Sequence, residues 1–194
     1  MTAESAPATT PAFAGFLPQV AEYLGPLKWV EEPTAHGPNR GFAVLYLRAQ
    51  GSEVGSAVSS GLRFQNVNAI FPQELCCSLL TEYEEAAAEI IVRTAHMVLE
   101  GGAGLLVGTI IPGQQPFVPG TEMVGVICAE HPYVDGEFNV IRDVAGKTEM
   151  QIITMIPASA VEIALATARG ADALFDLWEA RETDLADLGR KSVI

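Results

Sequence analysis

Cys128, Glu130 and His131 put a thiol, a carboxylate and an imidazole within four consecutive residues. A thiol beside a base is the raw material of a nucleophilic enzyme, provided the two come within hydrogen-bond reach. The surrounding run, MVGVICAEHP (123–132), is apolar and reads as a strand. Residues three apart on a regular strand face opposite sides of the sheet, so Cys128 and His131 are expected to diverge. A small-molecule site or enzyme built on Cys128, Glu130 and His131 is therefore the alternative reading.

Just beyond, Glu130, Asp135 and Glu137 gather around His131 and Tyr133. Paired carboxylates can divide acid and base roles only where their environments force their pKa values apart, and no spacing here enforces that. A solvated loop explains the charges more simply. An aromatic among charges on a loop suits contact with another protein, which makes Tyr133, Asp135 and Glu137 the candidate protein-binding residues.

Other chemistries lack their patterns. His36, His96 and His131 are widely spaced, and the adjacent Cys76–Cys77 pair is not a C-x-x-C zinc element. On a strand those two cysteines point to opposite faces, as small core residues. The glycine-rich LEGGAGLLVG (99–108) follows a helix and opens a strand, the wrong polarity for a phosphate cradle. There is neither a Walker lysine nor a G-x-S-x-G elbow. No catalytic, cofactor-binding or metal-ligating residue is assigned, and the chain is expected not to be an enzyme. Trp29 and Trp178 are expected as core anchors, and His96 at the surface.

The charge narrows the partners. Eleven basic against 24 acidic residues give a formal net charge of -13. Such a field repels nucleic acid and anionic membrane surfaces and attracts a basic protein; its simplest role is solubility. No apolar run approaches the roughly 20 residues of a membrane span, and no secretory signal opens the chain. With three cysteines, no disulfide framework is indicated, and a cytoplasmic location is expected.

The elements that must position these residues follow from periodicity. In 194 residues, 49% hydrophobic and 18% charged, a single domain over 13–194 is expected after a flexible tail, 1–12. Phe16, Val20 and Leu24 predict a helix stopped at Gly25. LKWVEE (27–32) and GFAVLYLRAQ (41–50) predict a hairpin across a turn rich in Pro33, Gly37, Pro38 and Gly41. Strands follow at 55–65, interrupted at Gly61, and at 73–82. Residues 83–102 form the clearest helix, with Ala87, Ile90, Ile91, Thr94, Ala95 and Val98 on one face and a Glu89–Arg93 pair on the other. A short strand within 103–122, then strands at 123–132, 138–144 and 149–157, complete the sheet. Asp135–Gly136 is a turn signal. In MIPASAVEIALATARGADALFDLWEA, Pro157 is expected to end the strand and Ser159 with Glu162 to form a capping box. Gly170 should divide two helices, the second burying Leu174, Leu177 and Trp178. Strands in runs rather than in alternation with helices predict an α+β fold. The sheet is mixed and largely antiparallel, flanked by helices, with a helical C-terminus.

The order of these features resembles the suppressor-of-fused domain family in its short bacterial single-domain form. VSSGLRFQ (58–65) is similar to its glycine-centred segment. QELCCSLL followed by EEAAAEIIVRTAHMVLE resembles its strand leading into the long helix. LLVGTIIPGQQPFVPGTEMVGVICAEHP resembles its strand–loop–strand, and MQIITMIPASAVEIALATARGADALFDLWEA its strand, proline and helical close. The resemblance runs from about residue 40 to about residue 190 and carries no catalytic motif. It implies a non-enzymatic protein-interaction module. In animals the namesake is a cytoplasmic regulator that binds transcription factors, and this chain is similar to its N-terminal domain alone. Bacterial members look like stand-alone binding proteins, some resembling immunity proteins against toxins. A protein partner, basic in character, is thus expected, with homo-oligomerisation as a further option. The resemblance transfers no partner-contacting residue.

Overall fold

Strand alternation sorts the apolar side chains of this protein into two faces of one sheet. The computed structural model describes residues 12–32 and 41–194. The expected tail, apart from Ala12, and the turn residues Pro33, His36, Gly37 and Pro38 lie outside the described residues.

The strands are β1 (Leu27–Glu31), β2 (Ala43–Leu47), β3 (Val54–Ser60), β4 (Gln73–Leu80), β5 (Ile110–Ile111), β6 (Met123–Ala129), β7 (Val140–Arg142) and β8 (Thr148–Ser159). They form one sheet in the order β1-β2-β3-β4-β8-β6-β5, with β7 also on β8. Among these strands β4 and β8 pair in parallel, and the other ladders are antiparallel. Helices α1 (Phe16–Leu24), α2 (Glu84–Gly101), α3 (Ala160–Arg169) and α4 (Ala171–Ala180) complete an α+β fold with a mixed, largely antiparallel sheet and a helical C-terminus.

One face packs on α2. Its expected stripe, Ala87, Ile90, Ile91, Thr94, Ala95 and Val98, is buried. Most of it packs against Cys77, Leu79, Val126, Cys128, Ile153 and Met155. The opposite face is covered in two parts. Phe16, Val20 and Leu24 of α1 lie over Val58, Cys76 and Ile152, while Ile163, Ala166, Leu174 and Trp178 of α3 and α4 lie over Ile127, Ala129 and Ile156. Cys76 and Cys77 fall into different clusters, as period two requires. Among the described residues, no helix is long and apolar enough to cross a membrane.

Two local expectations are corrected. The strand foreseen at 55–65 ends at Ser60, and Leu62–Phe64 form a 3-10 turn. The cause is the buried Glu74 on β4. Its carboxylate accepts from Ser59 Oγ at 2.6 Å, from the Gly61 N–H at 2.7 Å and from the Arg63 guanidinium at 2.6 Å. Gly61 turns the backbone towards it at φ +136°, and a Cβ there would meet Gly41 O and Phe42 Cα at 3.0 Å.

Pro157 does not end its strand, because β8 runs on to Ser159. On one edge Pro157 is paired with Val126 of β6. On the other, β4 pairs no further than Thr154. The proline's missing N–H therefore removes no ladder bond, and its carbonyl accepts from Arg190 at 3.0 Å. The turn signal at Asp135–Gly136 does mark a turn. Asp135 caps a 3-10 turn, Gly136–Asn139, by accepting from the Glu137 N–H. This turn lets β6 and β7 pair along the same edge of β8, at opposite ends of it.

Candidate functional site

β6 delivers the thiol and the imidazole to different surroundings. Cys128 is fully buried in the cluster under α2, and burial pushes its thiol up to about 12. Glu130 is exposed at the strand's end. His131 lies beyond the end of β6, 6% exposed, with its ring edge-on to Phe138 at 5.1 Å. Cys128, Glu130 and His131 are not brought together as one site.

His131 meets a serine instead, a contact the sequence did not suggest. Ser78 Oγ lies 2.7 Å from His131 Nε2 and 2.6 Å from Ser56 Oγ. The geometry resembles a serine–histidine dyad, but the tautomer is the wrong one. His131 Nδ1 accepts from the Tyr133 N–H at 3.2 Å, so the proton of the neutral ring sits on Nε2 and is donated to Ser78. A base that already donates to the hydroxyl cannot take its proton. Burial lowers the His131 pKa to about 4, which keeps the ring neutral. The trio is a buried polar strut between β3, β4 and the loop after β6.

Tyr133, Asp135 and Glu137 are all exposed on that loop. Asp135 is engaged as the cap of the 3-10 turn, and Glu137 lies 3.7 Å from Arg142. Tyr133 reaches across to the C-terminal segment, its hydroxyl donating to Asp184 Oδ1 at 3.3 Å.

That reach borders a cavity of about 650 Å³ between the end of β6 and α4. Glu130, His131 and Tyr133 line one side; Asp172, Phe175, Trp178, Glu179 and Glu182 line the other. The second wall escaped the sequence reading, although its signal was there. Asp172, Phe175 and Glu179 recur at i, i+3 and i+7, a helical stripe that mixes carboxylates with an aromatic, and Glu182 follows in the turn after α4. Trp178 sits behind as the expected core anchor, its indole N–H donating to Glu162 at 3.1 Å. Leu177 is half-buried where full burial was expected. Among the described residues, no cluster of His, Cys, Asp or Glu side chains could hold a metal ion.

Comparison with known families decides the class. Residues 41–191 match the family described as "Suppressor of fused protein (SUFU)". The chain belongs to the SUFU family. No curated protein matches the sequence significantly. Its fold is similar to that of a SUFU homologue from Neisseria gonorrhoeae, at 16% identity and a TM-score of 0.66, over 92% of this chain and 94% of that one. It is similar to a chain of the Sufu–Fu complex, at 13% identity and a TM-score of 0.67, over 92% and 89% of the two chains. Against Drosophila Suppressor of Fused the values are 12% and 0.58, over 78% of this chain but 42% of that one. At these identities the SUFU fold is what is shared. The family match covers β2 to the C-terminal segment, and so includes both walls of the cavity.

Proposed function

We propose that this chain is a non-enzymatic protein-binding module whose partner is a basic protein. The observation that carries the reading is its membership of the SUFU family, one of whose related folds comes from a complex of Sufu with Fu. The net charge of -13 supports a basic partner, since complementary fields speed encounter and disfavour acidic competitors. The chain works as one domain, residues 13–194, in the cytoplasm, and its role is of the immunity or regulatory type. Its contact surface includes Tyr133, Asp135 and Glu137. These are exposed; Asp135 and Glu137 stand on a short turn held by its own Asp135 cap, and Tyr133, two residues before it, is tied to Asp184. Such a turn is already ordered before binding, which lowers the entropic cost of association.

The test is cross-linking mass spectrometry of the tagged protein in its native cells, beside a Tyr133→Ala, Asp135→Lys, Glu137→Lys variant. A defined basic protein should cross-link to residues 130–142 and be lost in the variant. Recovery of nothing beyond what an unrelated acidic protein recovers would sink the reading. For the immunity role, co-expression should restore growth to cells carrying a toxin encoded beside this gene.

A further inference from the structure

We propose that the cavity between β6 and α4 seats an arginine side chain of a basic partner segment. This rests on the protein-binding reading above and adds the chemistry of the contact.

The cavity's composition points one way. Of its fourteen lining residues, Glu130, Asp172, Glu179 and Glu182 are acidic and none is lysine or arginine. Among the described residues, none of these four carboxylates is ion-paired. Arg190, which lies over the Trp178 ring behind the cavity, is paired with Glu162 and adds no free charge. The acidic groups surround aromatic surface rather than open water: Tyr133 on one wall and Phe175 on the other, with the buried Trp178 behind Phe175 at 5.9 Å and its own ring covered by Arg190 at 5.5 Å.

Aromatic faces attract cations through their quadrupole, and a planar guanidinium both stacks on a ring and donates through a rigid fork to carboxylates. An ammonium does the second only as a point charge. Thr183 adds an acceptor of its own. Its hydroxyl is buried in the cavity's lining and has no hydrogen-bond partner among the described residues. An unpaired buried hydroxyl is costly, and a small rotation of the side chain would let it accept from a guanidinium N–H. Val107, half exposed at the rim, offers apolar surface for the arginine's methylene stem. The volume lies within the range of formed ligand pockets and admits the flanking backbone as well.

The probe is the blocked tripeptide acetyl-Gly-Arg-Gly-amide, with its citrulline and lysine counterparts, titrated by NMR into the full chain. Saturable shifts are expected at the Trp178 indole N–H and at amides 129–133 and 172–185. The citrulline and lysine peptides should bind at least about tenfold more weakly, and so should arginine to the Glu179→Gln, Glu182→Gln variant. Both sites are exposed, so the variant's melting curve should match the parent's. Unsaturable shifts spread over the acidic surface overturn the proposal, as do equal binding of citrulline or lysine and indifference to the double substitution. A cross-linked partner that binds the double variant undiminished leaves the protein-binding reading intact and removes the arginine seat. Saturable arginine binding in a protein that cross-links to nothing keeps the guanidinium site and removes the partner.

Discussion

Glu162 and Arg190 meet fork to fork, with Nη1 donating to Oε1 at 2.7 Å and Nη2 to Oε2 at 3.1 Å, both side chains buried. The same carboxylate closes the capping box with the Ser159 N–H and accepts from the Trp178 indole, so one charge fastens β8, α3, α4 and the C-terminal segment. Removing one partner leaves the other charge buried and unpaired. Glu162→Gln or Arg190→Met should each cost about 3–5 kcal/mol in chemical denaturation, and the Glu162→Leu, Arg190→Met pair less than the sum of its single changes.

The same pair has an acid limit. Burial alone would raise the Glu162 pKa, but the Arg190 hydrogen bonds, the Ser159 N–H and the Arg190 charge outweigh it and hold it below 4.5. The native state thus binds this proton more weakly than the unfolded chain. Its stabilisation is complete above about pH 4.5 and drains away as pH falls through the lowered native value. Melts below pH 4.5 should show the loss in the parent and a smaller one in Glu162→Gln.

His131 acts at a higher pH. Its pKa falls from 6.5 to about 4 on folding, so between these values the unfolded chain holds more protons. Stability should therefore decline as pH drops from 6.5 to 4, by at most about 1.4 kcal/mol per pH unit, and level off below. His131→Gln, which can still donate to Ser78 and accept from the Tyr133 N–H, should flatten this limb of the stability curve.

The cysteines should be silent. Cys76, Cys77 and Cys128 are buried and their thiols lie above the usual range, Cys76 and Cys128 at about 12. Iodoacetamide at pH 8 should label none of them in the native protein and all of them in guanidinium. Native labelling of Cys128 would reopen its candidacy as a nucleophile.

Gly170 distinguishes a true break from a tolerated glycine. In a continuous helix Gly→Ala would stabilise by about 1 kcal/mol. Here Gly170 stands at φ +90°, ψ 155°, with open space where a Cβ would be. Gly170→Ala should destabilise by about 1–3 kcal/mol, and through backbone strain alone.

Much of this arrangement is written in local pattern. The α2 stripe and the divergence of Cys76 from Cys77 need only the periods 3.6 and 2.0, and the Ser159–Glu162 box only a serine three residues before a glutamate at a helix start. The family resemblance also followed from element order, because it lay in the sequence of strands, turns and helices. What the sequence misjudged were places where a distant group changes a local rule. Pro157 stays in its strand because the β4–β8 pairing ends at Thr154, and β3 ends early because Glu74, fourteen residues beyond Ser60, gathers the turn.

The cavity shows the division most plainly. Charge, apolar periodicity and turn residues determined the α+β class and the exposed loop carrying Tyr133, Asp135 and Glu137. No sequence pattern brings Glu130 and His131 opposite Phe175, Glu179 and Glu182, some 45 to 50 positions away. Only the packing of α4 onto the β6–β8 face, fixed by the Glu162–Arg190 pair, could do that. Chain entropy leaves such separations unspecified until the core between them is closed.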